Sequence, residues 1–438
     1  MRVRASFIFS AIVGLMSISI GCGSKMSSSS SSASISWQFS SAAPELAQAG
    51  SGAGFVMGAH VGIPQVQTAA GAVLATPKIK VITFTEDSLG TPLKNMVSAF
   101  AASAELTEMV SEYGVGAPTV TTPTTSITNA TTGVLPAVVS DTAIKAYISA
   151  NFSTGFLGAA DDQTIYIIMF PSSIIVSSTA TAAGDFCKQG VLGFHDQYVD
   201  GSSGKKIAYA VILHCFDFPG LSSADTMTTT TSHEIVEALT DPYVNSAPAY
   251  AGLASSYSNW GVYMPGLEVG DMCELFQSSI YTPVALGYSI QRSWSNVAAA
   301  AGHNPCVPTP VGAVYFNAIP VLTDTVSYYD PTSSSSTPIT ASGVTIAVGS
   351  SRTIALQLFS DAPTSANWTV SAFEDPNMTY THGADLSFSF DSTTGSNGST
   401  IHMTIHVLRQ DVYWSAEPVW IVSTLNGVKY YWPLLIGN

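Results

Sequence analysis

The chain has 438 residues, enough for two or three domains, and 46% of them are hydrophobic, which excludes a disordered chain. Only 10% are charged, so the surface must be polar through Ser, Thr, Asn and Gly. Fourteen Lys and Arg stand against 29 Asp and Glu, a formal charge of −15, which removes any electrostatic reason to bind nucleic acid or an anionic membrane surface.

Arg2 and Arg4 precede an apolar run from Phe7 to Ile20 and then Gly21-Cys22. A basic start, a short apolar core and a small residue before the cut make a secretory signal, and the run is short for a membrane span. A signal peptide is expected over residues 1–21. Cys22 directly after Gly21 resembles a bacterial lipoprotein cleavage site, at which Cys22 is lipidated; ordinary secretion with Cys22 discarded is the alternative. Residues 22–65, with the run Ser27–Ser32, read as a tether. The expected location is extracytoplasmic, as an envelope lipoprotein or a secreted protein, touching membrane only through the N-terminal lipid.

Lys78–Phe84 alternates and then turns apolar, the pattern of a strand. Leu93, Met96, Val97, Phe100, Ala104, Met109 and Val110 give a helical period from Leu93 to Tyr113, stopped by Gly114. Residues 117–136 are rich in Thr and Pro and read as loop or edge. Asp141 is placed to cap a helix over Thr142–Phe152. Thr164–Phe170 is continuously apolar, as in a buried central strand, and Ala208–Cys215 is another such run. Val191–Tyr198 reads as a shorter, more polar strand between them. Thr226–Leu239 reads as a helix ended by Asp241-Pro242. Residues 66–307 are therefore expected to form an α+β domain with a mixed sheet. From Val307 the pattern changes to short alternating runs separated by Gly, Ser, Asn, Asp and Pro. Residues 310–438 read as an all-β sandwich, immunoglobulin-like, with the boundary at Pro308-Thr309-Pro310.

The chemistry-bearing signal is Ser232-His233-Glu234-Ile235-Val236-Glu237. On a helix His233 and Glu237 lie four apart on one face and can hold one ion, while Glu234 is placed to activate water beside it. This is the geometry of the zincin helix H-E-x-x-H with Glu for the second His, so the domain is expected to be zincin-like with this as its active-site helix. One imidazole with carboxylates is a harder ligand set than two imidazoles: zinc is expected, with manganese or calcium as alternatives. The acidic segment Glu268-Val269-Gly270-Asp271-Met272-Cys273-Glu274 offers Glu268 or Asp271 as the third ligand. Asp241 reads as a structural carboxylate at the helix end. His195 is a candidate catalytic residue, orienting substrate or stabilising a transition state, with a structural role equally open. His214 reads as core, and His402 and His406 as surface. No nucleophile elbow or phosphate-binding glycine loop is present.

With Cys22 set aside, Cys187, Cys215, Cys273 and Cys306 remain, an even number that in an exported protein reads as disulfides. Three pairings are open; nearest neighbours, Cys187–Cys215 and Cys273–Cys306, are favoured.

Five segments in order carry a family resemblance: Gly71-Ala72-Val73-Leu74; Phe186-Cys187 with Gly193-Phe194-His195; His233-Glu234-Ile235-Val236-Glu237-Ala238 with Asp241-Pro242; Glu268–Glu274; and Trp294-Ser295-Asn296 before Cys306. Together they resemble the phosphate-induced protein family, to which the plant EXORDIUM proteins belong, over about residues 66–307. The resemblance implies an extracellular protein whose relatives share the H-E-x-x-E helix. The chain departs from the plant pattern at Leu192, where those proteins carry a second cysteine before Gly-Phe-His. Two functions are expected from these residues. One is a metal-dependent hydrolase of peptidase-like type, acting on an extracellular peptide or a cell-wall or surface polymer. The other is a non-catalytic surface binding or adhesion protein on a zincin-like scaffold.

Overall fold

The computed structural model of the protein describes residues 46–437 except 48–50, 53, 86, 122–135, 216–220, 251, 254–258, 261–267, 275, 277, 308, 310–312, 329–337, 376–383 and 410–415. The signal expected over 1–21, Cys22, the serine run and Pro308 and Pro310 of the expected boundary lie outside the described residues. The chain divides into two compact units. One includes Gln67–Ala251 and Glu268–Trp294; the other includes Ser34–Val66, Gly252–Leu267 and Ser295–Asn438.

The first unit mixes helices and strands. It runs through β1 (Lys78–Thr83), α1 (Gly90–Ala101), α2 (Ala104–Val110), β2 (Thr119–Thr121), β3 (Val138–Ser140), α3 (Asp141–Ser153), β4 (Thr164–Phe170), β5 (Ile175–Ser177), β6 (Gly193–Val199), β7 (Lys206–Leu213) and α4 (Ser223–Thr240). Five strands form one mixed sheet in the order β6-β7-β4-β1-β2. All pairs are parallel except β6, an edge strand antiparallel to β7. The helix expected over Leu93–Tyr113 is two helices, because the Ser103 hydroxyl accepts the Leu106 N–H at 3.2 Å and starts a new one. Likewise Ser140, not Asp141, caps α3, accepting the Ala143 N–H at 3.3 Å. Asp141 is instead the first helical residue, where it accepts the Tyr209 hydroxyl and pairs with Lys145 at 3.0 Å.

All seven residues of β4 are buried, as its unbroken apolar run requires. Alternation sorts them by face. Tyr166, Ile168 and Phe170 join Phe194, Tyr209, Val211 and the α3 residues Ile144, Tyr147 and Ile148 in one core. The next residue of β6 after Phe194 is His195, so it faces the opposite side, where α4 packs on β6 and β7. α4 is buried from Thr226 to Thr240 although it is rich in Thr and Ser. Its hydroxyls are satisfied within the helix: Thr230 donates to Thr226 O at 2.9 Å, Thr231 to Met227 O at 2.6 Å and Ser232 to Thr229 O at 2.7 Å. After it come α5 (Asp271–Glu274), β8 (Ile280–Tyr281) and β9 (Ile290–Gln291). No described helix is long and apolar enough to cross a membrane.

The second unit contains α6 (Asn296–Ala300) and then strands only among its described elements. These are β10 (Phe316–Pro320), β11 (Asp324–Tyr328), β12 (Ile339–Thr345), β13 (Ser351–Ser360), β14 (Trp368–Glu374), β15 (Leu386–Phe390), β16 (Thr394–Gly395), β17 (Thr400–Val407), β18 (Ala416–Leu425) and β19 (Val428–Gly437). They make a four-stranded sheet, β10-β13-β17-β15, and a six-stranded sheet, β11-β12-β19-β18-β14-β16. The two meet face to face. Phe316 of one sheet packs on Trp368 and Tyr430 of the other, ring centroids 5.3 and 5.0 Å away. Residues 54–65 of the stretch read as a tether, and Val66 after them, belong to this unit. Gly58 N–H donates to Asn397 Oδ1 at 2.7 Å, Asn397 Nδ2 donates to Val56 O at 2.7 Å, and His60 stacks on Phe359 at 4.3 Å.

Candidate metal centre

The site grows from α4. The four-residue spacing brings His233 Nε2 to 3.2 Å from Glu237 Oε2. Edge strand β6 adds His195, its Nδ1 3.4 Å from Glu234 Oε2 and 3.6 Å from Glu237 Oε2. The acidic segment adds Glu268, with Oε1 3.1 Å from His195 Nε2, and Asp271, with Oδ1 3.6 Å from His233 Nε2. Glu237 belongs to two groups able to hold an ion, His195–Glu237–Glu268 and His233–Glu237–Asp271, within each of which one donor atom per residue lies within 4.8 Å of the others. The structure thus brings together all six side chains singled out in the sequence. It also puts His195 among the candidate ligands, a role not foreseen for it.

Glu237 is held by the segment it faces, accepting the Asp271 N–H on Oε1 at 2.9 Å. That segment is tied down by Gln291, which donates to Gly270 O at 2.8 Å while its own N–H donates to Ser232 Oγ at 3.0 Å. Two glycines permit the approach. A Cβ on Gly270 would lie 2.7 Å from Glu237 Oε1, and one on Gly193 would lie 2.5 Å from Thr230 Cγ2 and 2.9 Å from Glu234 Oε1.

Burial dominates the electrostatics. His195, Glu234 and Glu237 are 0% exposed and His233 is 1% exposed. Burial raises the Glu234 carboxyl, His195 countering in part, and lifts Glu268 to about 8. It lifts Asp271 and Glu274 well above the carboxylate range. For the imidazoles burial works downward, but Glu268 beside His195 and Glu237 beside His233 outweigh it, so both rings are held well above their usual value. Among the described residues, no Lys or Arg forms an ion pair with these groups. Among the described residues, several of their atoms are left without a hydrogen bond: Nδ1 of His233, Asp271 Oδ1 and both Glu274 oxygens. Buried polar atoms are rarely left so. A nitrogen–oxygen donor set with surplus negative charge and unsatisfied lone pairs fits a divalent cation.

Glu274 belongs to neither donor group but lies within electrostatic reach of His233, Glu237 and Glu234, a neighbour foreshadowed by its position three residues after Asp271 in the same acidic segment. Asp241 has the structural role expected, accepting the Ala249 N–H at 2.8 Å, and burial pushes its carboxyl to about 7. His214 is not core. It falls just past the end of β7, is partly exposed and lies 3.1 Å from Asp87 Oδ1. His402 is exposed and faces Asp391 at 2.7 Å, and His406 Nδ1 lies 2.9 Å from Ser351 Oγ.

Cys187 and Cys215 form a disulfide, and Cys273 and Cys306 are disulfide-bonded cysteines as well. Bridges of this kind are consistent with an extracellular protein.

No family model matches the chain, and no curated protein matches it. Among solved structures it is similar to parts of the S-layer protein SbsC. Against domains 4 and 5 the identity is 16% and the TM-score 0.16, over 27% of this chain and 54% of that one. Against domains 1–6 the identity is 15% and the TM-score 0.16, over 27% of this chain and 13% of that one. A likeness at this level says nothing of fold or activity.

Proposed function

We propose that the protein is an exported, metal-dependent hydrolase of the zincin type, anchored by a lipid on Cys22, with a peptide or a cell-wall or surface polymer as its substrate class. The observation that carries this reading is the convergence of His195, His233, Glu237, Glu268 and Asp271 on two overlapping donor sets around a helix that also presents Glu234. Zinc is the ion proposed, with manganese or calcium as alternatives given the carboxylate-rich set. Bound there, the ion supplies a Lewis acid that readies water for attack at neutral pH. Glu234 takes the proton of the attacking water, a task for which its raised affinity for protons is suited, and passes it to the leaving group. His195 and Asp271 hold Glu237 and His233 in place from either side. The ordered segments that resemble the phosphate-induced protein family, EXORDIUM proteins included, belong to this same reading. So does the immunoglobulin-like assignment of the sandwich: taking β10, β13, β14, β15, β17, β18 and β19 as its seven strands, the sheets sort as ABED and GFC.

A second reading is favoured by one observation, the depth of the site. Glu268 is 7% exposed and the other donors less. A closed shell is the mark of a structural metal centre, and on that reading the protein is a non-catalytic surface binding protein on a zincin-like scaffold.

Elemental analysis of the dialysed full chain and of His233→Ala tests the centre. Stoichiometric metal in the wild type that is lost in the variant is the expected result; a wild type that retains no ion after growth with zinc, manganese and calcium overturns it. Turnover of a broad peptide mixture by wild type, lost in Glu234→Gln with metal retained, supports the hydrolase. Metal without turnover in either supports the structural centre.

A further inference from the structure

The sandwich contains a second group of carboxylates, remote in sequence from α4. Glu374 ends β14, Asp385 immediately precedes β15, and Glu417 is the second residue of β18. One oxygen from each lies within 4.8 Å of the others. Two of the three are deeply buried, Asp385 at 0% and Glu417 at 1% exposure. Glu374 is fixed by two backbone donors, Asp385 N–H at 2.7 Å and Leu386 N–H at 2.8 Å, both on Oε1. Arg409 pairs with Asp385.

Glu417 stands apart from the other two. Among the described residues, neither of its carboxylate oxygens accepts a hydrogen bond from a donor outside the cluster. Its backbone is locked in the central β18–β19 ladder opposite Ile436, so the strand fixes where its side chain starts. Its carboxyl ends against those of Glu374 and Asp385. A buried carboxylate without donors, set against two others, is among the costlier arrangements a fold can hold unless a cation completes it.

We propose that Glu374, Asp385 and Glu417 bind a hard divalent cation, calcium, that ties β14, β15 and β18 of the sandwich together. The ligand set is oxygen only, with no imidazole or thiolate, which selects calcium over zinc; calcium also accepts carbonyl and water oxygens to complete its shell, whereas magnesium demands near-octahedral geometry. This site shares no residue with the centre on α4 and does not rest on it.

The test uses the full chain, after exhaustive chelation and dialysis, as wild type, Glu417→Gln, Glu374→Gln and His233→Ala. Thermal melts are taken across a calcium titration, and terbium luminescence is excited through tryptophan. Trp420 is well placed as donor, since its Nε1–H bonds Asp375 Oδ2 at 2.7 Å, next to Glu374. Calcium is expected to raise the melting temperature of wild type and His233→Ala progressively with concentration, reversibly on chelation. The shift and the terbium emission should be lost in Glu417→Gln. If that variant does not fold, Glu374→Gln carries the same expectation. No calcium response in folded wild type, an equal shift in either glutamine variant, or a response to zinc alone overturns the proposal. So does a Glu417→Gln chain more stable than wild type at saturating calcium, which would mean the three carboxyls only share protons.

Discussion

Glu237 is the side chain on which the proposed metal centre turns, because it meets His233, His195 and the Asp271 N–H at once. Glu234, one turn earlier, meets His195 but belongs to neither donor group. The two glutamates should therefore part company. Glu237→Ala is expected to lower metal content and melting temperature together, since it removes a ligand shared by both groups. Glu234→Gln should keep metal and fold while lowering hydrolysis by about 10²–10⁴-fold, the usual worth of a positioned general base. Equal metal loss in the two variants would reverse these roles. Gly270→Ala gives a gentler probe. Gly270 does not occupy the left-handed region, so the substitution acts through contact alone, its methyl meeting Glu237 Oε1. Reduced metal content with a stability loss of about 1–3 kcal/mol is expected from such overpacking, read by elemental analysis and denaturant melts. At this scale the sequence was informative where the geometry is local. His233 and Glu237 are neighbours by helical spacing alone. His195 comes from a strand elsewhere in the chain, so its place among the donors follows from the β6–β7 register and from no local spacing around His233.

At the scale of elements, the apolar runs at β4 and β7 were legible, because burial on both faces of a sheet leaves a continuous signature. The split of the first helix at Ser103 and the N-cap at Ser222, whose hydroxyl accepts the Asp225 N–H at 3.1 Å, depend on single hydroxyls and were not. The β6–β7 hairpin shows how such local bonds set an element's stability. Asp200 accepts Ser202 Oγ at 2.7 Å, Ser203 N–H at 2.8 Å and Ser203 Oγ at 2.6 Å, and these donors hold its carboxyl far below the usual range. A carboxylate depressed in the folded state stabilises above its unfolded pKa, and that contribution is lost as pH falls toward the folded value. Asp200→Asn should cost about 1–3 kcal/mol at pH 7, with the difference from wild type narrowing below about pH 4. A difference independent of pH would show that the charge is not what holds the turn. The disulfide between Cys187 and Cys215, 28 residues apart, fastens the approach to β6 to the end of β7. Replacing both cysteines with serine should lower stability by about 3–4 kcal/mol on the chain-entropy view, measured by chemical denaturation.

At the scale of the molecule, the change from mixed elements to strands only was legible from composition, but where the second unit gathers its chain was not. Residues 54–66 and 295–307 belong with it, and neither stretch has the alternating pattern that marks a strand. They are recruited by single contacts on the sandwich. His303 stacks on Tyr315 with centroids 4.2 Å apart, and Asn304 N–H donates to the Tyr315 hydroxyl at 3.1 Å. Tyr315 is 0% exposed, and Asn317 Nδ2 donates to the same hydroxyl at 2.8 Å. A fragment that starts at residue 312 keeps Tyr315 but strips its cover, losing a ring stack and a buried hydrogen bond. One that starts at residue 295, with Cys306→Ser to silence the thiol, keeps both. Both fragments should show the circular dichroism of an all-β fold, since the inner faces of the two sheets bury one another. The longer should be more stable by about 1–3 kcal/mol, a melting difference of roughly 4–10 °C. Equal melting would mean that residues 295–311 only decorate the sandwich, and an unfolded longer fragment would mean that the strands need the rest of the chain to hold their sheets.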